Sequence, residues 1–226
     1  MGTLRAKSHI AASICFLISA FTISAAADTI VVGKTADTNN PLPCSNCSLR
    51  EAVTSMNFSP FTGIDTVIIA IPPNDPGCNT ITHVCTLTLT LGFDIQITSP
   101  ASEVVIDGGI ANRTTIDGGA GFNRIFTIIS GATVKNVTLQ GGNGASGFST
   151  GSGSAIYMGA FGGSLTLDSV VVQNNDSTAL TNGTASVSIF GGVNHRIINS
   201  TIANNSGKFC GGLEFQGGTT SALSIV

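Results

Sequence analysis

The chain has 226 residues, 12 acidic against 9 basic, a formal net charge of −3 and only 9% charged residues. That balance excludes a basic nucleic-acid-binding surface as the organising feature, and no nucleic-acid partner is expected. Polarity comes instead from Ser, Thr, Asn and Gly, which points away from a helical fold and towards stacked β structure.

Residues 1–27 read as a signal peptide. Arg5 and Lys7 form a basic start, Ile10 to Ile23 an apolar run, and Ala25, Ala26 and Ala27 a small-residue cleavage region. The run is short for the ~20 apolar residues that cross a bilayer as a helix. No transmembrane helix is expected after cleavage, and the expected location is extracellular or at the cell surface. Cys44, Cys47, Cys78, Cys85 and Cys210 remain in the mature chain. Export favours disulfides. The local pairs Cys44–Cys47 and Cys78–Cys85 are expected, with Cys210 odd and a zinc site from the first four cysteines as the alternative.

A helix is predicted at about 49–57. Ser48 is its N-cap and Glu51, three residues on, completes a capping box. Leu49, Ala52, Val53 and Met56 make one apolar stripe, while Arg50, Thr54 and Ser55 lie off it. So short a helix needs an apolar surface beneath it, and the open end of a stack of strands provides one. Residues 28–63 are therefore read as a cap.

From residue 64 to 226 the pattern is strands. Thr66 to Ile71, Thr86 to Leu91, Ile95 to Thr98, Val104 to Ile106, Thr114 to Ile116 and Ile125 to Ile129 are separated by Gly, Pro or Asp-Gly stops. Three longer segments align: 134–142, 167–175 and 197–205, spaced by 33 and 30 residues. Each reads as a strand, a polar corner at Asn136, Ser169 or Asn199, a short strand and a Gly or Asn turn. This is a solenoid period. The fold expected is all-β, a right-handed parallel β-helix with a short N-terminal capping helix. Its equivalent corner asparagines would stack as an amide ladder. Gly141 to Gly153 is read as a loop bulging from one coil. The chain breaks off inside an expected strand at 221–226, so the β-helix reads as truncated, continued, or capped by a partner.

The segment Cys47-Ser48-Leu49-Arg50-Glu51-Ala52, with Asp65-Thr66-Val67 downstream, resembles the CSLREA-domain proteins. Ile202-Ala203-Asn204-Asn205 and Cys210-Gly211-Gly212-Leu213 are similar to polymorphic outer-membrane-protein repeats. The resemblance implies an exported bacterial protein with a β-helix stalk, adhesin-like and outer-membrane associated.

Chemistry is weakly marked. Polysaccharide lyases and hydrolases with β-helices need clustered carboxylates with a basic residue nearby. Asp107 and Asp117, then Asp168, are the candidates, with Arg113 and Arg124 as basic partners. The competing reading makes both Asp-Gly-Gly units turns. His195 and His83 read as surface or turn residues. We assign no catalytic, cofactor-binding or metal-ligating residue from the sequence. The leading reading is a non-enzymatic module whose flat Thr, Ser and Asn faces contact glycan or protein. The alternatives are a polysaccharide-acting enzyme and an inactive remnant.

Overall fold

The computed structural model describes residues 27–59, 63–99, 103–119, 124–144, 152–159, 163–178 and 183–226. The expected signal peptide lies outside them except for Ala27, as does most of the 141–153 loop. The chain starts with β1 (Thr29–Val32) and α1 (Leu49–Asn57). It then winds through three strands per coil. The first coil is β2 (Asp65–Ile69), β3 (Cys85–Thr88) and β4 (Ile95–Ile97); the second is β5 (Val104–Asp107), β6 (Thr114–Asp117) and β7 (Phe126–Ile128). The third is β8 (Ala132–Lys135), β9 (Thr138–Gln140) and β10 (Ile156–Met158); the fourth is β11 (Leu165–Asp168), β12 (Val171–Gln173) and β13 (Val187–Phe190). Then come β14 (His195–Ile198), β15 (Thr201–Ala203), β16 (Leu213–Gln216) and finally β17 (Leu223–Ile225).

The strands stack into three parallel sheets, one per face: β1-β2-β5-β8-β11-β14-β17, β3-β6-β9-β12-β15 and β4-β7-β10-β13-β16. This is the parallel β-helix that the repeat predicts. The registers keep like residues in columns. Val67, Ile106, Val134, Leu167 and Ile197 stack inside the first face. Leu87, Ile116, Leu139, Val172 and Ile202 stack inside the second. One core runs through the coils and continues under α1.

β1, β10, β13 and β16 were not anticipated as strands; β1 adds a strand to the first face by pairing in parallel with β2, and the other three extend the third face. Conversely, β3 stops earlier than its hydrophobic run. The Thr90 and Leu91 amides turn away and donate to Asp37 Oδ2 at 2.8 and 3.1 Å. An amide already bonded to a carboxylate is not free for a ladder.

The corner prediction has a physical basis in the backbone. Asn136, Ser169 and Asn199 have φ of 59°, 58° and 50°, the left-handed region that asparagine tolerates. A second left-handed corner follows at Gly141, Asn174 and Asn204. The amide ladder, however, is not in the corner column. Asn136 Nδ2 donates across the coils to Asp107 Oδ1 at 3.0 Å. The ladder lies at the next turn, where Asn175 Nδ2 donates to Asn205 Oδ1 at 3.0 Å and to Leu139 O at 3.1 Å. Asn205 Nδ2 reaches Val172 O at 2.9 Å. Asn175 is buried, so its amide satisfies backbone groups that water cannot reach. In the preceding coil Gly142 takes the equivalent place and its amide donates to Asn175 Oδ1. A Cβ there would stand 2.1 Å from Ser154 O.

Candidate functional site

The capping box forms as the sequence predicts. Ser48 Oγ accepts from the Glu51 amide at 3.2 Å and Glu51 Oε2 accepts from the Ser48 amide at 2.8 Å. The apolar stripe rests on β1, β2 and β4, closing one end of the coil. Arg50, which lies off the apolar stripe, is nevertheless buried. Its guanidinium grips Asp37 through both carboxylate oxygens, at 2.7 and 3.0 Å. It also donates to Phe93 O and Asp94 O, at 2.9 and 3.0 Å, and lies 4.2 Å from the Phe93 ring centroid. All six residues of the Cys47–Ala52 segment are buried. The segment is thus a lock between cap and first coil. Burial pushes the Glu51 carboxyl up, but bonds from the Ser48 and Asn40 amides and contact with Lys34 outweigh it and hold it at about 2.

Disulfides join Cys44 to Cys47 and Cys78 to Cys85, and Cys210 is free. The zinc alternative is therefore set aside, because those four sulfurs are bonded in pairs. Among the described residues, no three His, Cys, Asp or Glu side chains converge as a metal site would require. No helix there is long and apolar enough to cross a membrane.

The candidate carboxylates are occupied by the fold. Asp107 Oδ1 accepts from the Gly109 amide at 2.8 Å as well as from Asn136, and its Oδ2 pairs with Lys135 at 3.0 Å. Burial raises its pKa, the bonds from Asn136, Gly109 and Lys135 lower it, and the net shift is downward. Asp117 Oδ1 accepts from the Gly119 amide at 2.8 Å and Oδ2 from Gln140 Nε2 at 2.9 Å. Both are the turn residues of the competing reading. Asp168 accepts from Ser169 Oγ at 3.1 Å. The registers place Asp107, Lys135 and Asp168 in one outer column, while Asp117 stands on the second face. The structure does not bring the three carboxylates together. Sequence reasoning missed Lys135, which shares its aligned position with Asp168.

Two basic expectations change. Arg124 has no exposure. It donates to Ser152 O at 2.6 Å, to Gly153 O at 2.8 Å and to Thr127 Oγ1 at 2.9 Å, with Asp94 3.7 Å away. Burial lowers its pKa to about 10, partly offset by Asp94, and it stays a cation. It cannot meet a polymer substrate. His195 is buried rather than on the surface. Its Nδ1 accepts from the Leu165 amide at 3.1 Å, so its Nε2 carries the proton and donates to Gly191 O at 2.7 Å. The register continues the buried column of Ala132 and Leu165 into His195, a placement no single segment reveals.

Two exposed features remain. The first is a threonine column on the second face: Thr86, Thr115, Thr138, Val171 and Thr201 lie in register, each half-buried or exposed. The threonine hydroxyls and methyls follow the strand spacing of about 4.8 Å, with a gap in the hydroxyls at Val171. The second is a groove of about 590 Å³ between the 70–84 loop and the 108–113 turn, lined by both Arg113 and His83. Comparison with protein-family models, curated proteins and solved structures finds no match to this chain.

Proposed function

We propose that the protein is an exported, non-enzymatic β-helix module of a bacterial surface or extracellular protein. It is stalk-like or adhesin-like and contacts glycan or protein through its flat faces. The observation that carries this reading is the threonine column, a rigid row of four hydroxyls in register over five coils, interrupted by Val171 in the fourth. Such a row meets an extended polymer at little entropic cost, because the strands already hold it in place. Supporting it, two disulfides fit an oxidising compartment. The resemblance of Cys47–Ala52 to the CSLREA segment adds the bacterial, outer-membrane setting, and residues 1–27 supply the export signal.

The test is co-sedimentation with insoluble polysaccharides and with intact bacterial cells. Retention should fall about tenfold in a Thr115→Arg, Thr138→Arg variant. Unchanged retention would remove the column from the function. Unsaturated products from acidic polysaccharide, lost on Asp107→Ala, would replace this reading with an enzyme.

A further inference from the structure

The groove beside the first two coils has a chemistry unlike that of the faces. It forms because fifteen residues, 70–84, are inserted between β2 and β3 and are tied back by the Cys78–Cys85 disulfide. The inserted loop stands off the coil and faces the 108–113 turn. Ile68 and Ile71 are half-buried, while Pro73 and Ile110 are exposed, Ile110 by 63%. An aliphatic surface is thus left facing water on both sides of the groove, which disfavours the free state.

Arg113 and His83 line the same space, and both are exposed. No Asp or Glu is among the lining residues. Asp107, next to the lining residue Gly108, is committed to Lys135, Asn136 and the Gly109 amide. Among the described residues no carboxylate pairs with Arg113 or His83. The Arg113 backbone is pinned at both ends, its amide donating to Ile110 O and its carbonyl accepting from the Cys85 amide. The guanidinium is carried on a fixed turn, and among the described residues its donors are free.

An aliphatic trough with an unneutralised guanidinium at its side matches one kind of molecule, an anion carrying an apolar chain. We infer that this groove binds an aliphatic carboxylate of the medium-chain fatty-acid class. Its chain lies against Ile68, Ile71, Pro73 and Ile110, and its carboxylate is held by the Arg113 fork. The volume falls within the range of small-molecule pockets. A uronic acid supplies the charge without the apolar body, and an alcohol of equal length supplies the body without the charge. This site does not depend on the threonine face, so the two proposals stand or fall separately.

The test is calorimetric titration of the full chain with decanoate below its aggregation threshold. The Ile110 methyl resonance is followed in parallel, so that heat-silent binding is also seen. One saturable site is expected, with decanol and glucuronate each binding about tenfold more weakly or less. Arg113→Ala and Ile110→Asp should each weaken decanoate about tenfold, whereas Thr115→Arg should leave it unchanged. Both substituted side chains face solvent, so thermal midpoints close to the parent's are expected and verify the fold. No binding overturns the inference. So does equal affinity for decanol, or multiple weak sites indifferent to both substitutions.

Discussion

The cap and the later coils of this solenoid are built from different materials. At the cap, charged groups are buried and paired: Arg50 with Asp37, and Glu51 with Lys34 and two backbone amides. Arg124 still does this in the middle of the stack, for the Ser152 and Gly153 carbonyls, but in the later coils the same task of satisfying buried backbone falls to neutral side chains, Asn175, Asn205 and Ser177. Core shielding differs too. Val187 and Ile189 in the fourth coil are fully buried, whereas Leu213 and Phe215, their partners in the next, are only half-buried. The difference follows from geometry. A coil interior repeats, so a small amide can bond its copy one strand spacing away. A cap has no copy beneath it. It must reach irregular carbonyls such as Phe93 O and Asp94 O, and a guanidinium with five donors does that in one side chain.

The sharpest way to break the comparison is at Arg50. Arg50→Ala leaves the Asp37 carboxylate buried without its partner and should cost about 3–5 kcal/mol. Urea unfolding measures this, and a loss below about 1 kcal/mol would show that the cap is not locked by charge. The cap should also be the acid-sensitive end. The Glu51 carboxyl sits at about 2 against an ordinary 4.5, so the unfolded chain binds the proton more tightly. Its contribution is fully present above about pH 4.5 and is lost as pH falls towards 2. It amounts to roughly 3 kcal/mol. Asp75 and Asp107 are shifted in the same direction. Glu51→Gln should remove most of the slope of stability against pH in that window. A slope unchanged in Glu51→Gln would assign it to the coil aspartates instead. The smallest effect concerns the corners. Asn136→Ala forces alanine to φ near 59° and deletes the bond to Asp107, costing about 1–2 kcal/mol. Asn136→Gly keeps the backbone and should cost less. Equal losses would mean that the side-chain bond, not the dihedral, matters at the corner.

Much of the fold was legible because its signals are local. The capping box needs three residues of separation, the disulfides three and seven, and the left-handed corners one residue each. Strand positions followed from composition, with β3 overrun because the Asp37 carboxylate that ends it lies more than fifty residues upstream. The candidate site was less legible. Asp107 and Asp117 looked like either turn or catalytic residues, and their neighbours Lys135 and Gln140 come from the next coil. Arg113 and His83 were separate residues in the sequence, and only the stacking of one coil on another puts them in one groove.

The sequence by itself determined the coil: the period, the corners and the capping helix, all set by backbone preference and short-range bonding, while the cysteine pairs it favoured were decided against a zinc site only by the structure. Only the tertiary structure decided which side chains are accessible. Arg50, Arg124 and His195 are buried and Arg113 is not, although nothing in their immediate neighbours separates them. The reason is register. In a parallel coil a residue's surroundings come from the strands above and below, some thirty residues away, and a shift of one position turns every side chain to the other face.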